Sequence, residues 1–300
     1  MRARRVARAA HVAAALRLEA SLGSRRAFDP RVHALRPHPG QGRVARALFA
    51  LLEGSEILAS HAGCGRVQDA YSFRCAPQVH GVAEDALDFA GATLMTEANS
   101  VTDNPLLFAD SGEFVSAGNF HGQPVAFALD ALSIAMTSMA SMCERRTFRL
   151  LSKDLSGLPV ALVPDAGLRS GLMMLQVTSA ALVSECKVLS HPASVDSIPT
   201  WAEQEDHVSM GAHAARKFSS IVSNIARVVA SEMICAVQGL GFRRPLRSST
   251  RLETVATSIQ SLVPPVDEDR PMDADLEALA ERIANEDWLD VPELDRKETA

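Results

Sequence analysis

The chain has 300 residues, which is long enough to bury one large hydrophobic core or two of ordinary size. Its composition, 47% hydrophobic and 22% charged with 17 Gly and 15 Pro, excludes a disordered chain, a collagen-like repeat and a coiled-coil rod. The net charge of -6 argues against a general nucleic-acid-binding surface. Tyr71 is the single tyrosine, and the core is left largely to alanine and leucine, which favour helix.

The first predicted element, residues 1–21, is rich in arginine and alanine and has no acidic residue before Glu19. Organelle transit peptides share this composition with amphipathic helices that have a solvated basic face, and we expect such a helix. The five cysteines form no CxxC pair, and no apolar signal region follows the first basic residues. These features are typical of reduced thiols in a cytoplasmic protein.

Proline, glycine and hydrophobic periodicity predict the elements that follow. The segment 33–42 is rich in Pro and Gly and predicts a turn between two helices, and residues 102–105 predict another turn. Apolar and small residues recur at spacings of three and four over 125–143, 172–189 and 208–233, each of which marks one face of a helix. We therefore predict an all-α fold, a bundle of long central helices with few strands.

The end of the chain is predicted to form a separate acidic unit. Gly239 and the nearby Pro245 end the third long helix, and a Pro-Pro pair then begins a linker to a short helix at about 273–286. We divide the chain into a helical domain, 1–265, and an acidic C-terminal helix and tail, 266–300.

The chain contains none of the common cofactor or hydrolase signatures. The longest apolar stretch, 171–189, includes Glu185 and Lys187, which favours a buried helix over a membrane span. There is no Walker loop, HExxH or GxSxG, and the Gly-Cys-Gly at 63–65 lacks the third glycine of a dinucleotide site. The nine histidines are scattered, so we expect no metal site, and we expect no membrane or nucleic-acid partner.

Polar residues cluster in VQDAYSFRCAPQVHG, residues 67–81. Gln68, Tyr71 and Arg74 are three positions apart, which on a helix places them within about a third of the circumference, facing one pocket. The planar fork of Arg74 suits a carboxylate, and Tyr71 is able to exchange a proton with a ligand. The alternative is a surface turn in which Arg74 pairs with Asp69.

Two further polar segments precede the predicted long helices. In SAGNFHGQP, residues 116–124, glycines flank Phe120; in HPASVDSIPTWAEQEDHVSM, residues 191–210, Gln204 and Glu205 lie just before a helix. Each segment has a purely structural explanation, since loops enter helices in this way and acidic residues are favourable at a helix N-terminus. Neither is specific by itself.

Taken together and in order, the strings SVTDNPLLF, SAGNFHGQPVA, LSGLP, HPASVDSIPT and QEDHVSM, following VQDAYSFRC, resemble the aromatic amino-acid ammonia-lyase family, and its histidine-specific branch most. The resemblance runs from about Arg31 to about Arg270 and corresponds to the downstream part of a family member, so that the fold is expected to be N-terminally truncated. It implies a homotetramer with a core of long helices. It also implies a methylidene-imidazolone electrophile, which the family makes from an Ala-Ser-Gly tripeptide.

The resemblance also implies roles for individual residues. Arg74 would bind the substrate carboxylate, and Tyr71 would lie beside the electrophile and help to position the amine. Gln68 and Phe120 would line the same pocket. Glu205, with Gln204 beside it, would meet the substrate side chain.

Glu205 is the residue that indicates the substrate. An imidazole offers ring nitrogens to a carboxylate and a benzene ring does not, so this residue favours L-histidine, with trans-urocanate as the product. Two departures from the family pattern, Trp201 and Glu203, leave a tyrosine or phenylalanine lyase or an aminomutase as an alternative.

A third departure concerns the electrophile. The sequence contains no Ala-Ser-Gly, and Ser116-Ala117-Gly118 is not that tripeptide. We therefore expect that the electrophile cannot form from this chain and that the chain alone is inactive. It would act with a complementary N-terminal half, or it would be a non-catalytic helical scaffold.

Overall fold

The computed structural model describes residues 1–65 and 67–294, so that the predicted tail over 295–300 lies outside the described residues. The helices within this part are α1 (Arg2–Ala20), α2 (Pro30–Ala34), α3 (Pro39–Leu51), α4 (Glu56–Ala59), α5 (Tyr71–Arg74), α6 (Ala76–Ala98), α7 (Gln123–Leu151), α8 (Lys153–Ser156), α9 (Met173–Leu189), α10 (Gly211–Gly241), α11 (Thr250–Gln260) and α12 (Asp273–Asn285). One antiparallel hairpin joins β1 (Leu106–Phe108) to β2 (Glu113–Val115). The predicted all-α class is confirmed.

The three long helices predicted from periodicity are present as α7, α9 and α10. The helices α7 and α10 pack along each other at the centre, and α1, α6 and α9 surround them. By length and composition α7 and α10 would also suffice to cross a membrane, but 61% and 83% of their apolar windows are buried inside the protein. Burial of this extent is typical of the central helices of a bundle.

The first helix differs from its prediction. Every residue of α1 from Val6 to Ala20 is buried except Arg8, which is half-buried, and even Arg17 is fully enclosed. Its alanines let α10 and α7 approach closely, which a helix with larger side chains would prevent. The expectation of a solvated basic face is therefore wrong from Val6 onward, because small residues pack α1 into the core. Arg2 and Arg4 at its start are exposed, and Arg4 and Arg5 form ion pairs. Arg5, for example, binds Asp287 at 2.7 Å.

The predicted turn at 33–42 is shorter than expected. It ends at His38, because Pro39 begins α3 and the glycine that follows lies inside the helix. A Cβ on Gly40 would overlap the carbonyl oxygen of Gly81 in α6, and a Cβ on Gly81 would overlap the backbone of Gln41. Glycine is needed at both positions because α3 and α6 touch at their backbones.

The acidic C-terminal helix shares the core of the rest of the chain. Leu276, Leu279 and Ile283 of α12 are buried in the same hydrophobic cluster as α1 and α10. The boundary at residue 265 stays a prediction.

The five cysteines are free thiols. Cys143, Cys186 and Cys235 are buried, and burial raises the pKa of all three thiols. Cys64 is exposed and Cys75 is half-buried. The three core thiols therefore serve as small apolar side chains.

One buried carboxyl ties α1 to the chain before α11. Glu19 is fully buried and accepts a hydrogen bond from the Ser248 hydroxyl. Burial raises the pKa of Glu19 to about 7. The group is thus protonated in the folded chain over a pH range in which it is ionised in the unfolded chain.

We expect the Glu19→Gln variant to be more stable than the natural chain above pH 7. A raised carboxyl pKa favours folding at low pH, and this contribution, about 3 kcal/mol for a shift from 4.5 to about 7, is lost as the pH rises to 7. Urea denaturation at pH 6 and pH 8 measures the effect. Glu53→Gln at an exposed position is the control, and an equal pH dependence in both variants would contradict the assignment.

Candidate functional site

The short helix α5 carries two of the predicted site residues. Tyr71 is 69% exposed, and the guanidinium carbon of Arg74 lies 4.5 Å from the centre of its ring. The prediction that Gln68 shares this helical face is wrong, because Ala70 is extended and the helix begins only at Tyr71.

The alternative of an ion pair between Arg74 and Asp69 is not what the structure contains. Arg74 Nε donates to the backbone oxygen of Asp69 at 3.0 Å, while the Asp69 carboxylate accepts the backbone N–H of Ser24 at 2.7 Å. Asp69 therefore braces the turn before α5, and the planar face of the Arg74 guanidinium lies against Tyr71.

Gln68 and Arg74 line a common cavity of about 590 Å³. Its wall also includes Arg26, His61 and Cys64. Three arginines, Arg25, Arg26 and Arg74, outnumber the single carboxylate of Asp69 at this cavity, which favours a small anionic ligand.

The other predicted residues lie at the N-terminal ends of α7 and α10. The loop with Phe120 meets the loop with Glu205, because His121 Nε2 lies 3.1 Å from the backbone oxygen of His207 and their rings are 5.6 Å apart. Gln123 also donates to the backbone oxygen of Ser194 at 3.0 Å. Phe120 is 57% exposed, and Glu205 is exposed as well.

The loop before α10 closes on itself around Glu205. The backbone N–H of Thr200 donates to the backbone oxygen of Glu205 at 3.0 Å, and the Thr200 hydroxyl donates to the Glu205 carboxylate. Trp201, Ala202 and Glu203 at its tip have φ values of 39°, 53° and 63°. Three successive non-glycine residues in the left-handed region make a strained turn, a feature that often accompanies binding loops.

The structure thus places the predicted residues in two groups. The first comprises Gln68, Tyr71 and Arg74, and the second Phe120, Gln204 and Glu205. Within residues 1–65 and 67–294, no hydrogen bond, ion pair or ring contact joins the two groups. The same described ranges contain no cluster of three or more His, Cys, Asp or Glu side chains able to hold a metal ion.

A buried polar chain beneath α5 was missed by the sequence analysis. Arg146 of α7 and Glu232 of α10 are both fully buried and form a bidentate ion pair, with Nη2 and Oε2 2.8 Å apart. Arg146 Nη1 lies 3.2 Å from His80 Nε2, and His80 Nδ1 lies 2.8 Å from His11 Nδ1. The available signal was Glu232, the only charged residue of α10 after Arg227, since Arg146 lies in a run of charged residues.

The direction of this hydrogen-bond chain follows from its arginine. A guanidinium only donates, so His80 Nε2 accepts and the ring proton is on Nδ1, which donates to His11. His11 then donates from Nε2 to the Glu84 carboxylate at 3.0 Å. Burial, with Arg146 and His11 nearby, holds the pKa of His80 well below its usual range, so this ring is neutral, as the hydrogen bond from Arg146 requires.

The chain is a bundle of long helices, and its candidate site residues lie in a short helix and in loops at the ends of the long helices. Residues 1–261 match the aromatic amino acid lyase family, and the chain belongs to this family. The match begins at the first residue, so the family resemblance includes α1 as well as the region after Arg31.

The relatives include several histidine ammonia-lyases. The enzyme of Gloeobacter violaceus is 53% identical over 97% of this chain and 57% of its own length, and that of Caenorhabditis elegans is 51% identical over 94% and 42%. Histidine ammonia-lyase from Trypanosoma cruzi superposes with a TM-score of 0.87 at 45% identity, over 94% of this chain and 53% of that one. A tyrosine aminomutase of Streptomyces globisporus gives 0.88 at 35% identity, over 94% and 58%. The chain spans about half the length of the curated relatives it matches.

The loop that carries Glu205 is anchored at its start by Asp130 of α7. This carboxylate is buried, and its Oδ2 accepts the backbone N–H groups of Ala193 at 2.8 Å and Ser194 at 2.7 Å. Lys217 Nζ of α10 lies 3.4 Å from Oδ1. One carboxylate therefore holds the loop against two helices.

We expect Asp130→Leu to loosen residues 191–210 while the helices remain folded. An apolar side chain leaves the buried N–H of Ser194 and the partly buried N–H of Ala193 without an acceptor, whereas Asp130→Asn retains an oxygen and should have a smaller effect. Hydrogen–deuterium exchange of peptides from 191–210 measures the change. Exposed Asp154→Asn is the control, and equal exchange in all variants would refute the anchoring role.

Proposed function

We propose that this chain provides the substrate-binding part of a histidine ammonia-lyase, which eliminates ammonia from L-histidine to give trans-urocanate. The observation that carries the proposal is Arg74, whose guanidinium lines a cavity beside Gln68 and stacks on Tyr71. The histidine ammonia-lyases among the relatives, with sequence identities of 53% and 51%, support the proposal.

Arg74 is assigned to the substrate carboxylate. Its Nε is engaged by the backbone of Asp69, which fixes the plane of the fork, and the guanidinium lies at the cavity wall. A planar fork of this kind binds a carboxylate with two parallel hydrogen bonds. Tyr71, next to it, is placed to hold or move a proton at its phenol oxygen near the substrate amine.

Glu205 is assigned to the imidazole of the substrate. Thr200 orients its carboxylate, and an oriented carboxylate accepts the ring N–H of histidine, which a phenyl ring cannot supply. Gln204 and Phe120 complete this side of the site, where Phe120 offers an apolar face to the substrate.

We attribute no reaction step on the family's electrophile to this chain. Members of the family use a methylidene-imidazolone, which supplies the electrophile that assists departure of the amine. In the described residues Tyr71 and Phe120 are each more than half exposed, so these residues do not by themselves enclose such a group. Further residues must close the site.

We propose that the residues that close the site come from another polypeptide chain. That polypeptide would be either a complementary N-terminal half or a further copy of the same chain in a homotetramer. Apolar side chains on the outer faces of α6 and α7 support this assignment. Phe89 and Phe127 are about half exposed, with ring centres 6.0 Å apart, and Met95 and Ile134 are exposed as well. Exposed apolar surface of this kind is typical of protein interfaces. The free thiols fit a cytoplasmic enzyme.

A second candidate is a tyrosine or phenylalanine lyase or aminomutase. The indole of Trp201, 80% exposed at the tip of the loop, and the extra carboxylate of Glu203 favour a substrate other than histidine. The structural likeness to a tyrosine aminomutase supports this candidate also. A helical scaffold without catalytic function is the third candidate, and it predicts no amino-acid binding at all.

We expect L-histidine to bind the chain and Arg74→Met to weaken binding at least about tenfold through loss of the carboxylate contact. Glu205→Gln should weaken L-histidine binding and leave L-phenylalanine binding unchanged. Isothermal titration calorimetry measures both, with exposed Arg31→Met as the control. Tighter binding of L-tyrosine than of L-histidine would favour the aminomutase, and no binding of any amino acid would favour the scaffold.

We also expect the purified chain alone to form no urocanate from L-histidine, because the sequence contains no Ala-Ser-Gly from which to make the electrophile. The ultraviolet absorbance of urocanate gives a direct assay. Turnover by this single polypeptide would overturn the assignment of the closing residues to other polypeptide.

A further inference from the structure

The position of α5 depends on the core beneath it. The helix has only four residues, and Ala70 before it provides no side-chain cap. Helices of this length are not stable alone, so its position is fixed by tertiary contacts together with the long helix α6, from which only Cys75 separates it. Those contacts therefore also determine where Tyr71 and Arg74 point.

Two buried arginines contact the inner residues of α5. The Arg17 guanidinium carbon lies 5.1 Å from the ring centre of Phe73, which is 4% exposed. Arg146 Nη1 donates to the backbone oxygen of Ser72 at 3.4 Å. The two arginines are themselves connected, because Arg17 Nε donates to the backbone oxygen of Arg146 at 2.8 Å.

Stability alone does not account for a fully buried ion pair at this place. Removing Arg146 and Glu232 from water is costly, and apolar residues of similar volume often fill such a position with equal or greater stability. The guanidinium adds directional donors that an apolar side chain lacks. It reaches Ser72, His80 and Glu232 at once, and it therefore links α5 to α6 and α10.

We propose that Arg146 is a positioning residue. It fixes the distance of α5 from the core and its rotation about the helix axis, and thereby the orientation of Tyr71 and Arg74. Glu232 and His80 hold its guanidinium in the plane that reaches Ser72. The inference rests on the proposed substrate-binding role of Arg74, but the position of α5 is measurable without any substrate.

The single tyrosine of the chain provides the probe. Incorporation of 3-fluorotyrosine labels Tyr71 alone, so the ¹⁹F spectrum contains one resonance from α5. The guanidinium of Arg74 over the ring makes this resonance sensitive to a small shift of the helix. The urea-unfolded chain supplies the reference position for a disordered tyrosine.

The test uses two variants that change the donors of Arg146 in different ways. The double variant Arg146→Met/Glu232→Leu removes the buried charges together, and Arg146→Lys keeps the charge opposite Glu232 but loses the fork. In each folded variant we expect the Tyr71 resonance to move or broaden, at a position distinct from the unfolded reference. L-histidine binding should weaken about tenfold.

The matched control is Arg227→Met/Glu277→Leu. This pair is also bidentate and joins α10 to α12, and it does not contact α5. The control should leave the Tyr71 resonance and L-histidine binding unchanged.

An unchanged resonance in the folded Arg146 variants would overturn the inference, and so would a failure of both variants to fold, since Arg146 would then serve the fold as a whole. A moved resonance in a chain that binds no L-histidine would support the positioning role and refute the proposed function.

Discussion

The ion pair of Arg146 and Glu232 is the point at which four helices of this fold meet. Arg17 of α1 donates to the backbone of Arg146, His80 of α6 accepts from its side chain, and Glu232 of α10 neutralises it. Each of these groups is fully buried, so none has water as an alternative partner. A shift of one helix would break these contacts and leave a buried charge without its partner, which favours the observed arrangement of the four helices.

The candidate site has a different physical character from this core. Its residues lie on one very short helix and on loops that enter the long helices, where side chains remain exposed. Rigid long helices set the positions of the loop ends, and single polar contacts such as those of Asp130 and His121 then hold each loop. This division between a packed scaffold and exposed loops is common in enzymes.

Periodicity predicted α7, α9 and α10 correctly because long helices repeat one burial pattern many times. Composition predicted the helix α1 but not its burial, which alanine-rich packing permits all round. It also placed Gly40 in a turn, whereas this glycine lies in α3, where it contacts Gly81. The short sequence motifs identified the family, but they could not determine where their residues lie relative to one another in space. The structure puts Gln68 before the helix rather than on it, and it reveals contacts of His11, distant in sequence, that no local pattern encodes.

The distribution of thiols has a practical meaning for chemistry performed on this protein. Three sulfur atoms lie in the core with raised pKa values, whereas Cys64 is exposed at the wall of the cavity that contains Gln68 and Arg74. A thiol-directed reagent reacts with accessible thiolate, so the natural sequence directs a dye, spin label or crosslinker towards the rim of its own candidate site. Labelling experiments can therefore begin with the native polypeptide, because it already has an attachment point there.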